Sequence, residues 1–109
     1  MADNPLDELF RLLAHDPDIR RTYEFRKVLE TTLETHLRIS TAWTDDNGYE
    51  TALCDVNGTH PVERYKSRNA AVVGHAKWVK FADNPANETI TKLGYGSLIP
   101  DEEITLKRN

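Results

Sequence analysis

Two histidines and the single cysteine are the residues of this chain best suited to chemistry. Cys54, His60 and His75 lie in the middle part of the sequence, and three nitrogen or sulfur ligands can hold a zinc ion with one position open. No CxxC or HxxxH spacing supports such a site. A hydrogen-bonded core histidine beside a small buried thiol is therefore favoured, and nothing in the sequence places a third residue to orient a cysteine–histidine pair. We predict no metal and no cofactor.

Two carboxylates and a basic cluster are the other candidates for chemistry. Glu50 and Glu63 could act as an acid–base pair across a hairpin, but pairing of Glu50 with Arg64 or Lys66 is the expected arrangement. Basic residues beside aromatic ones have the composition of a nucleic-acid surface. This cluster contains Arg64, Lys66, Arg68, Lys77 and Lys80, beside Tyr65 and Trp78. Because the net charge is −4 and phosphate binding depends on basic surfaces, we favour a solvated face over a contact with nucleic acid or with an acidic protein.

The composition limits the protein to one modest core. The chain has 109 residues, of which 39% are hydrophobic and 29% are charged, as in ordinary globular domains. The lone cysteine excludes an internal disulfide and suits a reducing compartment. No apolar run approaches the length of a membrane span, and the start MADNPLDELF lacks the layout of a signal peptide. We therefore expect no membrane partner.

Two start signals predict helices in the N-terminal part. Asn4-Pro5 and Asp16-Pro17 each place a capping residue before a proline, and apolar residues then recur at helical spacing. The first stripe is Leu6, Leu9, Phe10 and Leu13; the second is Ile19, Tyr23, Arg26, Leu29, Leu33 and Leu37, flanked by Phe25 and Val28. We predict a helical region over 4–37, with one helix ending near His15 and a second running from Pro17 to about Leu37. The second stripe faces either the core alone or the core and a partner.

The middle of the chain has the pattern of an antiparallel meander. Alternating β-branched and aromatic residues predict strands at 49–56 and 59–66, and a third at 39–45 unless the preceding helix continues to Trp43. Asn47-Gly48 and Asn57-Gly58 supply hairpin turns between the strands. Since Pro61 cannot donate to a ladder, the strand at 59–66 should be a sheet edge.

A helix should follow this meander and pack back on it. Ser67 is a suitable N-cap for a helix from Arg68 to about Phe81. Its core face contains Ala71, His75, Trp78, Val79 and Ala82. Gly74 inside the helix costs about 1 kcal/mol relative to alanine, which suggests close approach by the hairpin.

The remaining residues lack a clear period and predict an extended C-terminal arm over 83–109. Breaker residues fill 83–87, and two glycines flank Tyr95. Such a tail frays when free, whereas an ordered one would suit binding to a neighbouring subunit.

These elements together predict an α+β fold: two N-terminal helices, an antiparallel β-meander of two or three strands, one helix packed on it, and the extended C-terminal arm. Residues 1–82 should form the single domain, with the hairpin and helix at 39–82.

Three short motifs in the central part of the chain resemble those of a group of small phage and prophage proteins. The motifs are Tyr49-Glu50-Thr51, Glu63-Arg64-Tyr65, and Ala71 followed by Gly74-His75. The likeness covers about a third of the chain. The group has no established activity, so the resemblance implies a bacteriophage origin and a non-enzymatic role, and it carries over no catalytic residue.

The resemblance and the lack of a catalytic motif lead to one main expectation. We expect a bacteriophage structural or assembly protein, such as a minor virion, neck or tail component, that is not an enzyme and acts through protein–protein contacts. Its partners would be further copies of itself and other phage proteins, in the host cytoplasm or the virion. The alternative is a small phage protein that binds and inhibits a host protein. The candidate interaction surface comprises Phe25, Val28, Arg64, Tyr65, Lys66, Tyr95, Leu98 and Ile99.

Overall fold

The computed structural model describes residues 26–45 and 47–108. Within these ranges the chain forms a four-stranded antiparallel sheet, one helix and a two-stranded hairpin. The elements in chain order are β1 (Lys27–Thr32), β2 (Arg38–Thr44), β3 (Gly48–Asp55), β4 (Gly58–Tyr65), α1 (Arg68–Asp83), β5 (Thr89–Lys92) and β6 (Glu102–Thr105). This part of the protein is mostly β, so the predicted α+β class with two N-terminal helices is wrong.

The end of the second predicted helix is a β-hairpin. The first predicted helix and the start of the second lie outside the described residues. Leu33 and Leu37 have helical spacing, but they close the turn between β1 and β2, where the Leu33 N–H donates to the Leu37 carbonyl at 2.8 Å. Leu37 is buried in the core and Leu33 packs against it. A turn of this length therefore produced the same i, i+4 signal as a helix, while the β-branched residues of β1 favour a strand.

The sheet has the order β1-β2-β3-β4 with antiparallel neighbours throughout. The predicted strands at 39–45, 49–56 and 59–66 are confirmed, as is the edge position of β4. The meander has four strands where two or three were predicted, because β1 adds to the free edge of β2. The turn between β2 and β3 spans three residues and not two, since Thr44 pairs with Gly48. Gly48 has φ 72, a left-handed conformation that glycine adopts without strain.

Helix α1 lies across one face of the sheet, as predicted. The Ser67 hydroxyl caps it by accepting from the Ala70 N–H at 3.1 Å. Ala71, His75 and Ala82 are buried against the strands. The close approach predicted at Gly74 is confirmed, because a Cβ at that position would lie less than 3.0 Å from the Tyr65 ring.

The extended arm predicted for 83–109 is wrong, because β5 and β6 pair with each other from Thr89–Thr105 to Lys92–Glu102. Ile90 and Leu106 are 5% and 6% exposed and belong to the main core with Ile39, Leu53 and Val62. Each strand has only four residues, so its apolar positions form a recognisable face only once the two strands are paired. No helix in the described part of the chain has the length and hydropathy needed to span a bilayer.

Candidate functional site

The structure separates the cysteine from the two histidines. His60 is the register partner of Leu53, and the next residue, Cys54, points to the opposite face of β3. The Nε2 atom of His60 lies 2.9 Å from Asp55 Oδ1. Residues 26–45 and 47–108 contain no group of three or more side chains that could hold a metal ion.

Asp55 joins the C-terminal segment to the turn between β3 and β4. Burial raises the pKa of this carboxyl group, but hydrogen bonds from the Lys107 N–H, the His60 ring and the Asn57 N–H outweigh burial and leave the pKa below its ordinary value. The Lys107 N–H donates to Oδ2 at 2.9 Å. This anion therefore holds the chain after β6 against the main sheet.

The two candidate carboxylates lie on opposite faces of the sheet. Glu50 is the register partner of Arg64, and the Arg64 Nε–H donates to Glu50 Oε2 at 2.9 Å. The predicted cross-strand ion pair is thus confirmed. Glu63 points instead towards α1, where the Trp78 Nε1–H donates to Oε1 at 2.8 Å. The structure does not form an acid–base pair from Glu50 and Glu63.

A continuous polar chain runs between α1 and the sheet. The His75 ring lies between two threonines, with Nε2 2.9 Å from Thr31 Oγ1 and Nδ1 2.7 Å from Thr41 Oγ1. The Thr41 hydroxyl lies 2.5 Å from the Thr51 hydroxyl. The Tyr65 hydroxyl then lies 3.0 Å from Thr51 Oγ1 and 2.9 Å from Glu63 Oε1. The chain thus links every strand of the main sheet to one helix.

Counting protons assigns a direction to this chain. The Tyr65 phenol has one proton, and the Glu63 carboxylate can only accept, so Tyr65 donates to Glu63 and accepts from Thr51. Thr51 must then accept from Thr41, and Thr41 must accept from a protonated Nδ1 of His75. A neutral ring with its proton on Nδ1 accepts at Nε2, and the donor there is the Thr31 hydroxyl. Every member of the chain is satisfied in this arrangement.

The titration behaviour of the chain agrees with this direction. Burial lowers the pKa of His75 and favours the neutral ring. Burial also raises the pKa of Tyr65 to about 12; the hydrogen bond from Thr51 opposes this, and Glu63 adds to it. For Glu63, burial raises the pKa, but hydrogen bonds from Lys77, Trp78 and Tyr65 bring it below its ordinary value. Glu63 is thus an anion and the end of the chain.

The polar chain acts as a rigid support for α1. A fully satisfied buried network fixes one arrangement of its elements, whereas an unsatisfied member would carry a large cost. Thr41, Thr51 and His75 are buried, so the helix cannot slide along the sheet without breaking these bonds. The chain therefore also fixes the surface where α1 meets the edge strand β4.

A groove lies along that boundary. It is a shallow, open depression with a volume of about 440 Å³. Its lining residues are Glu63, Tyr65, Asn69, Ala70, Val73, Gly74 and Lys77. Val73 is 72% exposed, so its side chain forms an apolar wall that the fold itself leaves uncovered. We call this cleft the groove.

A short hairpin projects on the other side of β4. Tyr95 and Ile99 form an isolated antiparallel bridge, with the Tyr95 N–H donating to the Ile99 carbonyl at 2.8 Å and the Ile99 N–H donating back at 3.2 Å. We call residues 95–99 the tip. Leu98 at its end is 92% exposed, and Tyr95 and Ile99 are also exposed. The tip is therefore an apolar projection.

The base of the tip is attached to β4. The Leu93 N–H donates to the Pro61 carbonyl at 2.8 Å. The guanidinium of Arg64 donates to the Gly94 carbonyl at 2.9 Å and lies over the Tyr95 ring, 5.1 Å from its centroid. The Gly94 N–H donates to Asp101 Oδ1 at 2.8 Å. These contacts hold the tip in one orientation, which reduces the entropy lost on binding.

The residues of the candidate interaction surface fall into separate places. Phe25 lies outside the described residues, and Val28 is half-buried in β1. Tyr65 lines the groove, and Lys66 is exposed directly after it. Arg64 braces the tip, which contains the other three predicted residues: Tyr95, Leu98 and Ile99.

Sequence reasoning missed Val73. The residue lies off the helix face that carries Ala71 and His75, and an exposed apolar side chain off the core face is the signal that could have identified it.

Comparisons of the chain with protein-family models, with curated proteins and with solved structures give no match.

Proposed function

We propose that this protein is a bacteriophage structural or assembly protein that is not an enzyme and works through protein–protein contacts made by the tip. The phage assignment rests on the resemblance of the motifs around Thr51, Tyr65 and Gly74. The contact function rests on one observation: Leu98, at 92% exposed, stands at the end of a braced projection.

Single exposed apolar residues are common on protein surfaces and carry little meaning alone. The tip differs because three large apolar side chains are exposed together within five residues. Arg64 and Asp101 hold the base of this segment in place. A rigid apolar projection gains contact area at low entropic cost, which suits a binding surface.

The test is the solution mass of the intact protein, measured by light scattering at two concentrations. We expect the wild-type mass to rise with concentration and the Leu98→Asp variant to remain a monomer, because a charge at the end of the tip opposes burial. Val56→Asp is the matched control. Val56 is 77% exposed in the turn between β3 and β4, so this substitution adds the same charge in place of a slightly smaller apolar side chain and leaves the tip intact.

The control should assemble like the wild type. A wild-type protein that stays monomeric at both concentrations would contradict the proposal. So would equal assembly of the Leu98→Asp variant.

A further inference from the structure

We infer that the tip of one copy binds the groove of a second copy, so that this chain assembles head to tail. The inference rests on the proposed function and names the partner of the tip. Two exposed apolar surfaces of different shape, a projection and a cleft, carry it.

The exposed apolar residues of the described chain are concentrated in these two places. Seven large hydrophobic residues are exposed in residues 26–45 and 47–108: Leu29, Val56, Val72, Val73, Tyr95, Leu98 and Ile99. Three of them form the tip, and two lie on α1, where Val73 lines the groove. Burial of apolar side chains in a contact favours association. Joining the two surfaces would thus remove four of these seven side chains from water: Val73, Tyr95, Leu98 and Ile99.

The charges around the two surfaces have opposite sign. Asp101, Glu102 and Glu103 follow the tip after Pro100 and are all exposed. Of these three, Glu102 lies opposite Lys92 in the β5–β6 pair. The groove is bordered by exposed basic side chains. Lys66 follows Tyr65, Lys77 lines the cleft, and Lys80 lies one helical turn beyond Lys77 and two turns beyond Val73.

Glu63 lines the groove and balances the charge of Lys77, since its Oε1 atom lies 2.6 Å from Lys77 Nζ. The positive border therefore comes from Lys66 and Lys80. Complementary potentials of this kind steer association and set the orientation of a contact.

The tip cannot fill the groove of its own chain. Neighbouring residues of β4 point to opposite faces, and Tyr65 lines the groove on the α1 side. Arg64 points to the other side, where it pairs with Glu50 and braces Gly94 and Tyr95. The two surfaces therefore lie on opposite sides of one edge strand, and each needs a partner copy.

A contact between two different surfaces has a structural consequence. Such a heterologous contact leaves one free tip and one free groove on every dimer, so further copies add until a ring closes or a filament grows. A contact between two identical tips would instead stop at a dimer.

Mixing two variants tests this inference. Leu98→Asp removes the tip surface and leaves the groove, whereas Val73→Asp places a charge in the groove and leaves the tip. Val73 is 72% exposed, and valine and aspartate have similar helix propensities, so the second variant should remain folded. Each variant alone should be monomeric, with association weakened about tenfold or more. An equal mixture should form a dimer of one chain of each kind, which cannot grow.

The other outcomes are distinct. If Val73→Asp assembles like the wild type and the mixture contains no mixed dimer, the head-to-tail contact is wrong, although the proposed function survives through another contact of the tip. If the wild type itself is monomeric, the proposed function fails as well.

Assembly of the wild type should also weaken as salt rises, because the charged borders are exposed and screened. Unchanged assembly at high salt would contradict the role given to the charges.

Discussion

Replacing Gly74 by alanine should destabilise this protein, although alanine is the better helix former. An alanine in the interior of a helix gains about 1 kcal/mol over glycine. At position 74, however, the new Cβ would lie less than 3.0 Å from Tyr65 Oη, Cε1 and Cζ, a separation that packed side chains do not tolerate. The Tyr65 ring must therefore move away from α1.

The cost of that movement follows from the contacts of the Tyr65 hydroxyl. It would lose its hydrogen bond to Thr51, worth about 1 kcal/mol, and its bond to the Glu63 carboxylate, worth about 2 kcal/mol. Subtracting the helix propensity gain of about 1 kcal/mol leaves a net loss of about 2 kcal/mol in the free energy of unfolding. Urea unfolding followed by tryptophan fluorescence measures this difference.

The same substitution in a protein that lacks the Tyr65 ring makes the test decisive. In a Tyr65→Ala protein nothing opposes the added methyl group, so Gly74→Ala should stabilise by about 1 kcal/mol. The sign of the effect should thus reverse, with a coupling energy of about 3 kcal/mol between the two positions. Ala76→Gly is the control for helix propensity, since Ala76 is exposed on α1; it should cost about 1 kcal/mol in both backgrounds. If Gly74→Ala stabilises the intact protein as well, the assigned contact between Tyr65 and α1 is wrong.

Three further predictions concern buried polar groups. The folded His75 ring has a pKa below its ordinary value of 6.5, so the unfolded chain binds more protons below about pH 6.5, and the free energy of unfolding falls there by at most about 1.4 kcal/mol per pH unit. In the His75→Gln variant, the free energy of unfolding should depend less steeply on pH in this range. The same dependence on pH in the variant and the wild type would contradict the prediction. Glu63→Gln should lower the free energy of unfolding in urea by about 2 kcal/mol, because the carboxylate that accepts the Trp78 N–H is replaced by a neutral amide. A change near zero would refute the role given to the Glu63 anion. Asp55→Asn should lower the free energy of unfolding by about 1–3 kcal/mol. It should also speed hydrogen exchange of the Lys107 amide, which donates to this carboxylate. Unchanged exchange would show that other contacts hold the amide.

The correct sequence predictions depended on local signals. Ser67 as a helix cap, the strands on either side of Asn57-Gly58, and the edge strand that contains Pro61 each follow from the backbone preferences of one or two residues. The close approach at Gly74 was also predictable, because a glycine inside a helix is costly without a packing reason. The neighbour that comes close is a tyrosine side chain, and this could not be known from spacing alone.

The wrong predictions involve contacts between distant parts of the chain. Leu33 and Leu37 have the same spacing in a helix and across a hairpin turn, and only the pairing of β1 with β2 decides between the two. Ile90 and Leu106 become core residues because β5 and β6 pair with each other and pack on the main sheet. Short strands of this kind gain their stability from tertiary contacts and not from intrinsic propensity.

The candidate site was predictable in part. Tyr95, Leu98 and Ile99 could be chosen from sequence because large apolar residues stand between glycines and a proline, outside any periodic element. The polar chain could not be predicted, because His75 binds residues that are 44 and 34 positions away along the sequence. The groove likewise depends on how α1 lies against β4.

The most direct test of the proposed function is the solvent accessibility of the tip in the unmodified protein. Hydroxyl-radical footprinting reports this accessibility for individual side chains, at a dilute and at a concentrated condition. We predict that oxidation of Tyr95 and Leu98 falls several-fold on concentration, while oxidation of Val56, which is 77% exposed outside the tip, does not change. If oxidation of Tyr95 and Leu98 is the same at both concentrations, the tip is not a contact surface between copies, and the proposed function is contradicted.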